Sequence, residues 1–213
     1  MTKALFFGSI GTLVETSEIQ RQAYNRAFNK AGLDWYWSVA NYCNLLRSVG
    51  GKARIQAYAM TPMPDSKIDE IHEYKEAFYT EMLAGGLPAR PGVVDLIRAA
   101  KQANIRVCWV TTTSQSNVDA VLRALQGQIQ RDDFDRIYLA SDIQMPKPAP
   151  DIYQLAVRDS GLTAEQILAI EDTTENLKAA EKAGLNTVLF PGEYALTQGG
   201  SPQYRLIPED LLK

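Results

Sequence analysis

At 213 residues, with 46% hydrophobic and 22% charged side chains, the chain has the make-up of an ordinary globular protein with one substantial core, or a core carrying a modest insert. A net charge of −3, without a long run of either sign, argues against a nucleic acid or an anionic membrane as its main partner. No apolar stretch approaches a membrane span, the N-terminus turns polar too soon for a signal peptide, and the single histidine, His72, all but excludes imidazole catalysis or a multi-histidine zinc site.

The first element in the chain is Ala4-Leu5-Phe6-Phe7, a short apolar run that stops at Gly8, as a buried parallel strand does. Residues 17–86 then carry helical periodicity and no strand pattern: Ile19, Ala23, Ala27, Phe28 and Ala31, followed by Ile68, Ile71, Phe78 and Met82. Ser17-Glu18-Ile19-Gln20 has the form of a capping box for the first of these helices. Cys43 falls on a helix of this stretch. His72 lies on another, where a polar helix residue beside glutamates is the plain reading.

After Arg90-Pro91-Gly92 the pattern alternates. Helical stretches at 91–102, 116–125, 150–160 and 174–183 separate strand-like runs at 105–110, 136–140, 167–170 and 187–190, with Cys108 inside the first of those runs. Thr163-Ala164-Glu165-Gln166 is a second capping-box signature, and Gly184 suits a helix stop. Residues 191–213, including Gly199-Gly200-Ser201-Pro202, read as a mostly irregular surface strap. Two cysteines on different elements, without metal-ligand spacing, suggest buried thiols in a reducing cytoplasm.

Strand–helix alternation implies an α/β, Rossmann-like doubly wound parallel sheet, with the Ala4–Phe7 strand near its centre and ligands bound beyond the carboxyl ends of the strands. The helical stretch sits where a lid over that edge would be inserted. The expected division is a core of residues 1–13 and 88–213 and a helical cap of residues 14–87.

The strand ends carry the chemistry. Phe7-Gly8-Ser9-Ile10-Gly11-Thr12-Leu13 follows the first strand, Thr111-Thr112-Thr113-Ser114 the second, Lys147-Pro148-Ala149-Pro150-Asp151 the third, and Ile170-Glu171-Asp172 ends the fourth. In this order, and with a helical insert after the first, these segments resemble the four motifs of the haloacid dehalogenase superfamily over nearly the whole chain. The resemblance is to the helical-cap branch that includes β-phosphoglucomutases and xylulose-bisphosphate phosphatases.

That resemblance implies a phosphate-binding role for Ser9, Gly11, Thr111, Thr112 and Lys147, and a Mg²⁺-holding role for Glu171 and Asp172. In the cap it implies substrate contacts at Gly51, Lys52 and Arg54, and at Gln20, which stands where many relatives have a histidine. The family's first motif is Asp-x-Asp-Gly-Thr, whose first carboxylate attacks phosphorus and whose second is the general acid/base. Those positions are Gly8 and Ile10 here, while Gly11-Thr12-Leu13 is intact.

Glycine forms no acyl-phosphate and isoleucine moves no proton. One direct magnesium ligand is lost with them, so the ion is expected to bind weakly or not at all. Lys147, without its usual carboxylate neighbour, is expected to turn to Asp172, to Glu171 or to a bound anion. Two functions follow: a non-catalytic binder of a phosphorylated small molecule or inorganic anion, with an unidentified protein partner conceivable, or a working hydrolase with a different nucleophile. Ser9 is the residue to weigh for that nucleophile, but no base is in sight to activate it.

Overall fold

The computed structural model describes residues 1–46, 50–195 and 205–212. In chain order the elements are β1 (Ala4–Phe7), α1 (Ser17–Lys30), α2 (Val39–Leu45), α3 (Gly51–Tyr58), α4 (Asp65–Leu83), α5 (Val93–Gln102), β2 (Arg106–Val110), α6 (Gln115–Ala124), β3 (Arg136–Tyr138), α7 (Asp151–Ser160), β4 (Ile167–Glu171), α8 (Thr174–Lys182), β5 (Asn186–Leu189) and α9 (Pro208–Leu211). They divide into two compact units, Met1–Glu15 with Gly86–Lys213, and Thr16–Gly85.

The first unit holds a five-stranded, all-parallel sheet in the order β3-β2-β1-β4-β5, which puts the expected strand at the centre. Period-two alternation sends its side chains into two separate cores. On one face Leu5, Phe7, Val107, Trp109, Leu168 and Ile170 pack against Val93, Leu96 and Ile97 of α5 and Val118 and Val121 of α6. On the other, Ala4, Phe6, Cys108, Val110, Ile167 and Ala169 meet Ile152, Tyr153 and Ala156 of α7 and Ala179 and Ala180 of α8. Both faces are covered, which is why the strands read as unbroken apolar runs.

In the second unit α1 packs along α4. Tyr24 and Phe28, one helical turn apart, surround Trp37 at ring-centroid distances of 4.5 and 4.9 Å. Arg21 donates to the Trp37 carbonyl at 2.7 Å, tying the segment after α1 back onto the helix. The apolar stripe of α4, Ile68, Ile71, Tyr79 and Leu83, contains one cation: Lys75 is 4% exposed, 2.9 Å from Glu76 and over the rings of Tyr24 and Tyr79.

Several local expectations shift. The N-cap of α1 is Thr16, not Ser17, and Gln20 reaches back to Thr16 Oγ1 at 3.2 Å. The box at Thr163 forms, with its N–H donating to Gln166 Oε1, but it opens a single 3₁₀ turn before β4 and no α-helix. β3 stops at Tyr138, because the chain turns into a 3₁₀ turn at Ala140–Asp142. The tail is less of a surface strap than its composition suggests: Leu206 and Leu211 are buried in the first core, and the Leu206 N–H donates to the Pro91 carbonyl. Residues 199–202 lie outside the described residues.

Candidate functional site

The site of the first unit is at the carboxyl ends of β1, β2 and β4, where the strands of a parallel sheet stop and their loops diverge. Gly8 follows β1, and its N–H donates to the Ile170 carbonyl of β4, so the turn is an extension of the ladder. Thr12 and Leu13 N–H groups then close onto the Ser9 carbonyl. Arg90 holds this turn from below. Its guanidinium donates to the Gly11 carbonyl, to Phe190 O at 2.8 Å and to Pro191 O at 2.6 Å, and stacks 3.6 Å over the Phe190 ring. The sequence marks Arg90 only as the re-entry point of the chain; the tying role arises from the fold.

Glycine is required at Gly11 for two reasons. Its φ is +82°, and a side-chain carbon there would lie 2.2 Å from Asp172 Oδ2. The loop after β1 and the loop after β4 therefore touch backbone to carboxylate.

Lys147 is 4% exposed and reaches across the loop to β2, donating to the Val110 carbonyl at 2.8 Å and forming a close ion pair with Glu171 Oε1. Thr111, next to Val110 and 3% exposed, turns its Oγ1 back to accept the Thr113 N–H at 3.1 Å, and Thr112 follows half-buried. Of the partners expected for Lys147, the structure provides Glu171. It adds one that the sequence did not mark: Tyr153 of α7 is fully buried and donates its hydroxyl to the same Oε1. Burial first, and then the Glu171 charge, push the Tyr153 hydroxyl well above its ordinary range, so it stays a donor. Tyr153 looks in the sequence like one more apolar residue on a helix face.

Glu171 is 0% exposed, and its other oxygen, Oε2, has no hydrogen-bond partner among the described residues. That oxygen lies 2.3 Å from where a β-carbon of residue 8 would be, and the Thr12 hydroxyl, also buried and without a partner, lies 2.7 Å from the same point. Part of the space that a side chain at position 8 would take is thus filled by the Glu171 carboxylate. Ile10 packs at the margin of the first core.

Asp172 is half-buried and accepts from Asn176 Nδ2 at 3.1 Å. Burial raises its carboxyl pKa to about 7, repulsion from Glu171 adds to that, and the Asn176 hydrogen bond opposes it. Ser9 Oγ has no hydrogen-bond partner among the described residues, so no group is placed to take its proton.

The side chains leave few oxygens for a magnesium ion. Mg²⁺ takes near-octahedral oxygen ligands, usually with one or two carboxylates free to face it. Lys147 and Tyr153 engage Oε1 of Glu171 and Asn176 engages Oδ1 of Asp172, which leaves one oxygen of each carboxylate, and position 8 supplies no side-chain oxygen. No group of three or more His, Cys, Asp or Glu side chains suited to a metal occurs among the described residues.

In the second unit, Gln20 lies on α1, and Gly51, Lys52 and Arg54 on α3. Lys52 is exposed and pairs with Asp69 at 2.8 Å. Arg54 hydrogen-bonds the buried Tyr24 hydroxyl, whose pKa burial pushes up to about 12. A side chain at Gly51 would lie 2.6 Å from that hydroxyl and 2.8 Å from His72 Nε2, so glycine lets the start of α3 close on both. His72 has its pKa lowered by burial and is 3.8 Å from Glu76. Gly51, Arg54, Tyr24, His72 and Lys75 thus form one neighbourhood, of which the sequence marked only the first two for ligand contact.

Comparison with known proteins agrees with this architecture. A family model described as haloacid dehalogenase-like hydrolase matches residues 2–184. Protein CbbY of Rhodobacter capsulatus is 41% identical over 196 residues, covering 90% of this chain and 86% of its own. Among solved structures, CbbY of Rhodobacter sphaeroides in complex with phosphate superposes with a TM-score of 0.83 at 38% identity, over 97% of this chain and 94% of that one. A point mutant of the same protein with xylulose-(1,5)bisphosphate gives a TM-score of 0.82 at 40% identity, over 92% and 88%. β-Phosphoglucomutase from Clostridium difficile, at 20% identity and a TM-score of 0.75, shares the fold. With a matched family model across most of its length and relatives near 40% identity, the chain belongs to the haloacid dehalogenase-like hydrolases, close to CbbY.

Proposed function

We propose that this protein binds the phosphoryl group of a phosphorylated small molecule, of the sugar-phosphate class, and has lost aspartyl-phosphate chemistry: a pseudoenzyme of its family. The observation that carries the reading is the pair Gly8 and Ile10 at the two catalytic positions of the first motif, with Glu171 filling part of the vacated space. Two groups with separate tasks, the nucleophile and the proton donor, are gone together, so neither half of the double displacement remains. Lys147, Thr111, Thr112 and the turn of Ser9 and Gly11 are the groups proposed to face phosphate.

The Thr16–Gly85 unit is proposed to act as the cap, offering Gln20, Gly51, Lys52 and Arg54 to the rest of the ligand. The relatives crystallised with phosphate and xylulose-(1,5)bisphosphate make a sugar bisphosphate the first ligand to try. Both cysteines are free thiols, which suits a reducing cytoplasm, and no helix among the described residues is long and apolar enough to cross a membrane.

The test is binding and turnover measured on the same preparation. Xylulose bisphosphate should raise the melting temperature, while p-nitrophenyl phosphate and acetyl phosphate should not be hydrolysed above background with or without magnesium. Wild-type hydrolysis that survives Asp172→Ala would overturn the reading, because the cleft would then run on another nucleophile.

A further inference from the structure

The environment of Glu171 suggests more than a replacement partner for a lysine. A buried ion pair is stable when the desolvated charges have their remaining hydrogen-bonding capacity filled. Here only Oε1 is satisfied, by Lys147 and Tyr153; Oε2 is buried without a partner, beside a Thr12 hydroxyl in the same condition. The carboxylate thus holds the cation expected to receive phosphate, and holds it by one oxygen.

The geometry points to Glu171 as a specificity-determining residue that competes from within the protein with a ligand phosphate for the Lys147 ammonium. This rests on the reading that the cleft takes phosphate. Both anions seek the same ammonium, which donates its other observed hydrogen bond to the Val110 carbonyl. Two anions packed around one cation repel each other, so the carboxylate weakens the hold of the ammonium on a phosphate even where the third N–H is left to receive it. A ligand held only through its phosphate meets this competition unaided. One with further contacts elsewhere can offset it, so the site favours organic phosphates over the free ion. Glycine at position 8 makes the arrangement possible, since any side chain there would push Glu171 aside.

Equilibrium dialysis with inorganic phosphate tests this on the intact chain. Glu171→Gln keeps the shape and removes the charge, and should bind phosphate about tenfold more tightly than wild type, or better, since a charged hydrogen bond is released to the ligand. Tyr153→Phe keeps the ion pair and the ring but frees Oε1 from one donor, and should give a smaller gain; it also carries the test should Glu171→Gln fail to fold. Adding Lys147→Met to Glu171→Gln should abolish the gain.

Wild type, Glu171→Gln and Tyr153→Phe binding phosphate equally, with Lys147→Met weakening all three, would overturn the inference and leave the phosphate reading standing. If none of the folded variants bound phosphate or xylulose bisphosphate, the phosphate reading itself would fall, and the competition with it.

Discussion

At the scale of single residues the cleft depends on how three ionisable side chains share a small space. Lys147 and Glu171 are both nearly or fully buried, so each depends on the other. Lys147→Met should lower the unfolding free energy by about 3–5 kcal/mol, because it leaves a carboxylate buried without a counter-charge. Lys147→Met with Glu171→Leu should recover part of that loss, since apolar groups need no counter-charge while the Tyr153 hydroxyl loses its acceptor; urea denaturation of the pair checks both statements.

Asp172 gives a pH dependence. Its folded pKa, about 7, lies above its ordinary value of 3.8, so the folded state holds the proton more tightly than the unfolded chain. Its contribution to stability therefore declines as pH rises through that interval and is lowest above it. Asp172→Asn should be more stable than wild type above about pH 7, and the difference should vanish below about pH 4. Equal differences at both ends would show that the carboxyl is not raised.

At the scale of elements, the helices that flank the site are anchored by short-range bonds. α8 begins at the cleft, and the Thr173 side chain accepts the Asn176 N–H at 3.2 Å. Thr173→Ala should cost about 1 kcal/mol by thermal or urea unfolding, the usual worth of an N-cap. It should also loosen Asn176, the residue bonded to Asp172. Melting temperatures identical to wild type would show that α8 does not need this cap. In the other unit Lys75 replaces an apolar residue in the stripe of α4; burial lowers its pKa, and the Tyr24 and Tyr79 rings lie against it. A cation in such a stripe is unusual, and it belongs to the same neighbourhood as Arg54 and His72.

At the scale of the whole molecule, the fold of the family surrounds a turn after β1 in which residues 8 and 10 are glycine and isoleucine. The parallel sheet, the Arg90 tie and the Gly11 turn are in place, while residues 8 and 10 carry no carboxylate. If that is all that separates the protein from its catalytic relatives, Gly8→Asp with Ile10→Asp should give magnesium-dependent hydrolysis of p-nitrophenyl phosphate. Gly8→Asp alone should be slower by about 10²- to 10⁴-fold, the usual worth of general acid/base help. The new carboxylate would also have to move Glu171, so the double variant should be less stable than wild type, by about 1–3 kcal/mol as for an overpacked core. Lys147→Ala in that background should remove any gained activity. A double variant as stable as wild type would argue against Glu171 occupying the space at position 8.

The sequence by itself determined the class of fold and the order of its parts. A four-residue apolar run such as Ala4–Phe7, stopped by Gly8, suits a strand covered on both faces, and alternation with amphipathic helices leaves a parallel sheet as the economical arrangement. It also determined that positions 8 and 10 carry no carboxylate, because glycine and isoleucine have none in any fold. Local pattern misplaced what depends on neighbours distant in the chain. The Ser17 box gave way to Thr16, and a tail that looked irregular buries Leu206 and Leu211, whereas the Thr163 box formed as read. Only the tertiary structure decided that Glu171 and not Asp172 takes Lys147, and that Tyr153, a plain core residue by pattern, shares the bond. The reason is geometric: Lys147, Tyr153 and Glu171 are separated by six and then eighteen positions in the chain, and meet because α7 packs on the face of the sheet into which β4 ends.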